Sequence, residues 1–235
     1  MKQSSLLTPP PPTTADVNVN SPPPPPIDID KQFAKLTSAV VRKYTLPTDL
    51  MPHDGLFVDT IEALSSSDNF VEIFNPDKKR SQRLLPSTNF FLQSIIVPAL
   101  DRLGFLRCRR VGQAFVLSSK KGCRPQPFHV DFAPLSFHGL RRKPLACLFA
   151  LEKEGTEFWC VEKGVEKHLS LKQGEFVVFD GDLIHAGAAY AKKNVRIHLY
   201  IDVNGVEIGD ETFLVDMQEY SEYLKRFEKQ IKEIL

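Results

Sequence analysis

The clearest periodicity in the chain lies near residue 200, where Val195, Ile197, Leu199, Ile201 and Val203 alternate with Arg196, His198, Tyr200 and Asp202. Successive side chains of a strand point to opposite faces, so a period of two marks a strand with two unlike surfaces. One surface is wholly apolar and is expected to pack beneath other elements. The other is wholly polar and is expected to line an interior. Further strands are predicted over 105–111 and 114–118, joined as a hairpin around Gly112, and over 128–132, 145–151, 157–162, 167–171 and 176–180. Helical spacing appears over 31–43, over 60–64 behind an Asp59 cap, over 88–103 with Pro98 weakening its middle, and over 217–235. Residues 55–58 read as extended, 70–74 as a strand or short buried segment, and 78–83 as a solvated basic loop. Together these predict an α+β, mainly β domain over 31–235. A β core at 105–205 follows helical or mixed structure at 31–104 that covers the apolar outside of a sheet, and a C-terminal helix packs on the core.

The first 30 residues differ in kind, with proline runs at 9–12 and 22–26 and few apolar side chains between them. Such a segment favours extended polyproline II and cannot bury enough surface to offset its ordering entropy, so a disordered tail is expected. It is a candidate ligand for an SH3, WW or profilin-type partner, with a plain flexible spacer as the alternative. The chain has 235 residues and 42% hydrophobic content, enough for one substantial core beyond that tail. No apolar run approaches the roughly 20 residues that span a bilayer, and no signal-peptide core develops, so an intracellular protein, cytoplasmic or nuclear, is expected. Cys108, Cys123, Cys147 and Cys160 are widely spaced and read as free thiols. The net charge of +1 hides an asymmetry: ten Lys or Arg against two Asp over 101–143, then eleven against seventeen acids from 144 onward. The basic block 101–143 is a candidate surface for an anionic polymer such as nucleic acid; a solvated basic face is the alternative.

Candidate chemistry is concentrated in four positions. His129 and Asp131 are two apart in an extended segment, so they share a face at roughly 7 Å and can converge on one ion. His185 follows the apolar run 175–180 and a Gly-Asp turn, which presents an imidazole at a strand end. Two histidines and one carboxylate leave coordination positions open, the arrangement of a non-haem Fe(II) oxygenase rather than a closed zinc site. Arg196, on the polar face of its strand, needs an anionic partner if buried, and its fork matches a carboxylate. His198 and Tyr200 share that face and are candidates for contact with the same ligand, His198 alternatively being a satisfied interior histidine. His138 reads as a pocket-rim or solvated residue; His53 and His168 carry no signal.

In this order, His129-x-Asp131, His185 and Arg196 resemble the 2-oxoglutarate and Fe(II)-dependent dioxygenase superfamily over 125–203. The branch most resembled carries Gly-x-x-x-x-Phe-x-Gly-Asp-x-x-His-x-Gly, matched here from Gly174 to Gly187. The resemblance implies a double-stranded beta-helix, a jelly-roll or cupin-like barrel. It implies Fe(II) on His129, Asp131 and His185, 2-oxoglutarate held by Arg196, and O2 as the other co-substrate. The implied reaction hydroxylates a C–H bond while 2-oxoglutarate is decarboxylated to succinate. No residue is assigned as the second co-substrate anchor. Nucleic acid, protein side chains and small molecules stand as substrate classes, the basic block favouring the first. The rival readings are a cupin-like metal dioxygenase that does not use 2-oxoglutarate and a non-catalytic protein that recruits partners through its proline-rich tail.

Overall fold

The computed structural model describes residues 39–66, 69–73, 77–132, 142–203 and 213–216. In chain order it contains β1 (Val41–Thr45), α1 (Asp54–Ser65), β2 (Val71–Glu72), β3 (Arg80–Leu85), a π turn (Leu92–Ile96) leading into α2 (Val97–Arg102), and β4 (Arg109–Ser119). There follow β5 (His129–Val130), β6 (Leu145–Ala150), β7 (Thr156–Glu162), β8 (Val165–Leu171), β9 (Glu175–Asp180), β10 (Ile184–Gly187), β11 (Asn194–Val203) and β12 (Phe213–Leu214). They form two antiparallel sheets, ordered β1-β9-β6-β11-β4-β3-β2 and β12-β5-β10-β7-β8. Consecutive strands cross between the sheets, as from β9 to β10 to β11, which winds the chain into a double-stranded beta-helix.

The two faces of β11 divide as their alternation predicts. Val195, Ile197, Leu199 and Ile201 join Phe149, Phe176, Val178 and Val116 on the outside of the larger sheet, under Phe57, Leu64, Phe91, Ile96 and Leu100 of the helical layer. Its other face looks into the space between the sheets, where Leu148, Val177, Phe179, Phe158 and Tyr200 form a second core. The helices therefore cover the apolar outside of a sheet, as expected.

Several local expectations are corrected. Residues 41–43 are not helical: β1 pairs with β9, Val41 opposite Phe179 and Tyr44 opposite Phe176, and this pairing overrides a weak helical spacing. The rest of the 31–43 prediction, the proline-rich tail and the 217–235 helix lie outside the described residues. Residues 55–58 are helical rather than extended, because α1 starts at Asp54 with the His53 Nδ1 accepting from the Leu56 N–H at 3.1 Å; Asp59 is no cap. The helix at 88–103 holds, started by Asn89, whose Oδ1 accepts from the Leu92 N–H. Pro98 brings no N–H to the Ser94 carbonyl, and the preceding turn widens so that Val97 N–H bonds Leu92 O. There is no hairpin at Gly112: residues 103–108 are turns, and β4 runs unbroken through Gly112 opposite an irregularity between Leu199 and Ile201. Of the described residues in 70–74, Val71 and Glu72 are strand. The stretch 78–83 is not a solvated loop, since β3 begins at Arg80, which is 1% exposed. All four cysteines are free, Cys108 exposed and the others buried. Among the described residues, no helix is long and apolar enough to cross a membrane.

Candidate metal and anion site

The short strand β10 brings the metal-ligand candidates together. It lies between β5 and β7, with His185 directly opposite His129 on one side and Cys160 on the other. Directly opposed residues share a face, so both imidazoles point between the sheets, their ring centroids 4.4 Å apart. Asp131, just past the end of β5, completes the group. The ligand atoms of His129, Asp131 and His185 all lie within 4.8 Å of one another, and all three residues are buried.

Each histidine is held in the same way: His129 Nδ1 lies 2.9 Å from Pro127 O, and His185 Nδ1 lies 2.9 Å from Leu183 O. A ring N–H committed to a carbonyl leaves the Nε2 lone pair free for a metal and fixes the ring's orientation. Phe158 and Phe179 pack on the His185 ring at 5.4 and 4.9 Å. Burial, above all, pushes the His185 pKa down to about 4, so the imidazole is neutral near pH 7. Burial alone would raise the Asp131 carboxyl, but His185 and His198 beside it hold it well below the usual carboxylate range. His185 and Asp131 thus rest as a neutral imidazole and a carboxylate, the protonation states a divalent ion requires of them.

The sequence-predicted positions converge on one cavity of about 510 Å³, whose lining includes His129, Asp131, His185, Arg196, His198 and Tyr200. His198 Nε2 lies 3.3 Å from Asp131 Oδ2, and among the described residues neither of these buried atoms makes a well-formed hydrogen bond. A buried carboxylate oxygen without a donor is costly unless a ligand meets it, so the donor set and this orphaned oxygen fit a metal ion. Arg196 stands two residues before His198 on β11, on the same face and one pleat repeat of roughly 7 Å away. Its Nη1 donates to Ser119 Oγ at 3.0 Å and Asn194 Oδ1 at 3.3 Å. Its Nη2 is turned toward Gly187, two residues past His185: a Cβ there would stand 3.4 Å from that nitrogen and 2.4 Å from Gln126 Oε1. Gly187 thus leaves the room in which Gln126 Oε1 approaches the guanidinium.

Sequence reasoning missed Arg80, Ser119, Asn194 and Gln126. Their one signal is positional: on β3, β4 and β11, Arg80, Ser119 and Asn194 are directly opposed in one row, a register invisible until the strands pair. The basic block is divided by the fold. Arg107, Arg109, Arg110, Arg142 and Lys143 gather at one end of β4, and Lys120, Lys121 and Arg124 lie beyond the other, roughly 33 Å apart along the strand. None of these residues lines the cavity. His138 lies outside the described residues.

No protein-family model matches the sequence, and no curated protein matches it as a relative. Solved structures do match. A Pseudomonas putida prolyl-4-hydroxylase superposes with a TM-score of 0.54 at 12% identity, covering 75% of this chain and 99% of its own. HygX from Streptomyces hygroscopicus, solved with nickel and 2-oxoglutarate bound, gives 0.55 at 9% identity, over 76% of this chain and 88% of its own. The fold is that of the 2-oxoglutarate and Fe(II)-dependent oxygenases. SnoK, a non-haem α-ketoglutarate-dependent carbocyclase of nogalamycin biosynthesis, gives 0.53 at 12% identity over 80% of this chain and 96% of its own. Relatives of this oxygenase fold thus cover nearly the whole length of their own chains, while their identity to this one stays low.

Proposed function

We propose that this protein is an Fe(II)- and 2-oxoglutarate-dependent oxygenase that hydroxylates a C–H bond of its substrate. The observation that carries the reading is that a metal-ready His-Asp-His set and a buried guanidinium share one cavity, the guanidinium of Arg196 standing one pleat repeat from His198, which itself lies 3.3 Å from Asp131. That spacing suits a short dicarboxylate chelating a metal at one end and held in a fork at the other.

His129 and His185 offer Nε2 to the metal, their Nδ1 atoms being committed to backbone carbonyls. Asp131 offers the carboxylate, which the adjacent histidines keep ionised. Arg196 holds the far carboxylate of the co-substrate. Tyr200, Leu148, Phe158 and Phe179 wall the cavity with hydrophobic surface and restrict water. Bound Fe(II) with 2-oxoglutarate and O2 supplies the oxidising chemistry, in which the co-substrate becomes succinate and CO2 and one oxygen atom enters the substrate. The chain's own contribution is positioning and a dry, charge-matched site.

The test is anaerobic addition of Fe(II) and 2-oxoglutarate to the purified protein, read by the weak visible absorption of the chelate. The wild type is expected to develop it, and Asp131→Ala to lose metal binding while remaining folded. Arg196→Ala is expected to keep its Fe(II) affinity but to bind 2-oxoglutarate about 30-fold more weakly, the effect of removing a charge-assisted contact of about 2 kcal/mol. Arg196→Lys should recover part of that loss, since a point charge replaces a fork. Metal binding with no 2-oxoglutarate affinity in the wild type would instead favour a cupin-like dioxygenase.

A further inference from the structure

Among the described residues Arg80 is, beside Arg196, the second arginine that is almost wholly buried. It is 1% exposed, Arg196 is 2% exposed, and both donate to the same atom, Ser119 Oγ, each at 3.0 Å. Among the described residues neither guanidinium has a carboxylate within 4.0 Å. Among the described residues Asp77 acts on Arg80 after Cys123 and Tyr190, and it accepts from the backbone N–H groups of Lys79 and Arg124. The two buried like charges share one neutral hydroxyl and the face of Tyr190, whose ring centroid lies 5.7 Å from the Arg80 guanidinium carbon and 5.3 Å from that of Arg196; these dipoles and the ring solvate the charges without neutralising them, which an anion would do. Burial, and then the charge of Arg196, push the Arg80 pKa down to about 10, so it stays protonated near pH 7 under repulsion from its neighbour.

The surrounding contacts say where the anion belongs. Arg80 Nη2 donates to the carbonyls of Arg124 (2.8 Å), Gly187 (3.4 Å) and Ala188, which fixes the backbone just past His185. Its Nη1 stands 3.0 Å from where a Gly187 Cβ would be, and Arg196 Nη2 stands 3.4 Å from the same point. Two donor nitrogens from different strands thus converge beside Gly187, at a point that Gln126 Oε1 approaches to 2.4 Å; Gln126, Gly187 and Arg196 line the cavity, and Arg80 and Ser119 stand behind them. Ser119 Oγ already accepts from both guanidiniums, so its lone pairs are used and its own proton is left to donate.

We propose that Arg80, Ser119 and Arg196 form one composite anion site, in which Arg80 is the second anchor for the far carboxylate of the co-substrate. The identity of that anion as 2-oxoglutarate rests on the oxygenase reading; the existence of a two-arginine anion site does not. The site would distinguish a dicarboxylate from a 2-oxo acid ending in a methyl group, because only the former neutralises the pair.

The experiment is calorimetry on the full chain loaded with Mn(II), comparing 2-oxoglutarate, glutarate and 2-oxopentanoate for wild type, Arg80→Met, Arg80→Lys and Ser119→Ala. Arg80→Met is expected to weaken 2-oxoglutarate and glutarate at least about tenfold while changing 2-oxopentanoate less than about twofold, because only a charged end loses a charge-assisted bond. Arg80→Lys should lose less, and Ser119→Ala should show the same selective pattern at smaller amplitude, which keeps the test decisive should Arg80→Met fail to fold. Equal weakening of all three acids would show a purely structural clamp and overturn the proposal, as would unchanged dicarboxylate affinity in Arg80→Met or in both milder variants. A wild type that binds glutarate in an Arg80-dependent way but shows no preference for 2-oxoglutarate would sink the oxygenase reading and support the arginine pair. A wild type that binds none of the anions would sink both.

Discussion

At the scale of single residues, the site is governed by what burial does to protons. His185 is faced by Asp131, His129 and His198, with Phe158 and Phe179 against its ring, and its pKa falls from 6.5 to about 4. In the metal-free protein the unfolded chain therefore takes up a proton between about pH 6.5 and pH 4 that the folded chain does not. Stability falls as the pH drops through that window, by about 1.4 kcal/mol per pH unit for this one proton. Asp131 acts in the same sense at lower pH, because its depressed carboxyl stabilises the fold above its unfolded pKa and loses that contribution as the pH falls. Denaturant unfolding of the metal-free protein from pH 4.5 to 6.5 is expected to show this slope and His185→Asn to flatten it. An equal slope in the variant would assign the proton to another group.

At the scale of elements, the most legible stretch of sequence was the one from Gly174 to Gly187, and the structure gives each fixed letter a physical task. Phe179 packs on the His185 ring, Asp182 is fully buried and pairs with Lys143 at 2.8 Å, and Gly187 leaves room for Gln126 Oε1 and the guanidiniums of Arg80 and Arg196. Gly181 accepts the ring of Phe132, whose Cδ2 would lie 2.5 Å from any Cβ there. Phe132 is buried, packs edge-on against Tyr200 at 5.2 Å and directly follows Asp131, so it has nowhere to retreat. Gly181→Ala is therefore expected to cost about 1–3 kcal/mol through overpacking and to weaken metal binding by displacing Asp131. Thermal unfolding and Mn(II) titration check the two halves of that statement, and an undisturbed metal affinity would separate Phe132 from the site. Strand β3 was illegible for the opposite reason. Arg80, Ser81, Gln82 and Arg83 offer no apolar alternation, because the strand buries an arginine and sets Gln82 in the wall of the cavity. The 41–43 and 55–58 assignments failed where short apolar runs fit either period and only a partner strand or a cap decides.

At the scale of the whole molecule, β4 separates two basic clusters by roughly 33 Å, so the charge that is contiguous in sequence is bipolar in space. A polyanion long enough to touch both ends is expected to bind at low ionic strength and to fall off steeply with added salt, while a short oligonucleotide reaching one end binds far more weakly. Titration of single-stranded oligonucleotides of two lengths at two salt concentrations checks this; length-independent binding would place the contact at one cluster. The pairing of Arg196 with His198 on one strand face has a different consequence. A pleat is a ruler with coarse graduations: a guanidinium moved by one position along β11 turns to the helix-packed side, and moved by two it overshoots by roughly 7 Å. Under the proposed reading the length of acid the cavity takes is therefore digital in the backbone, and a lineage that came to use a longer or shorter one would have to change the reach of a side chain instead.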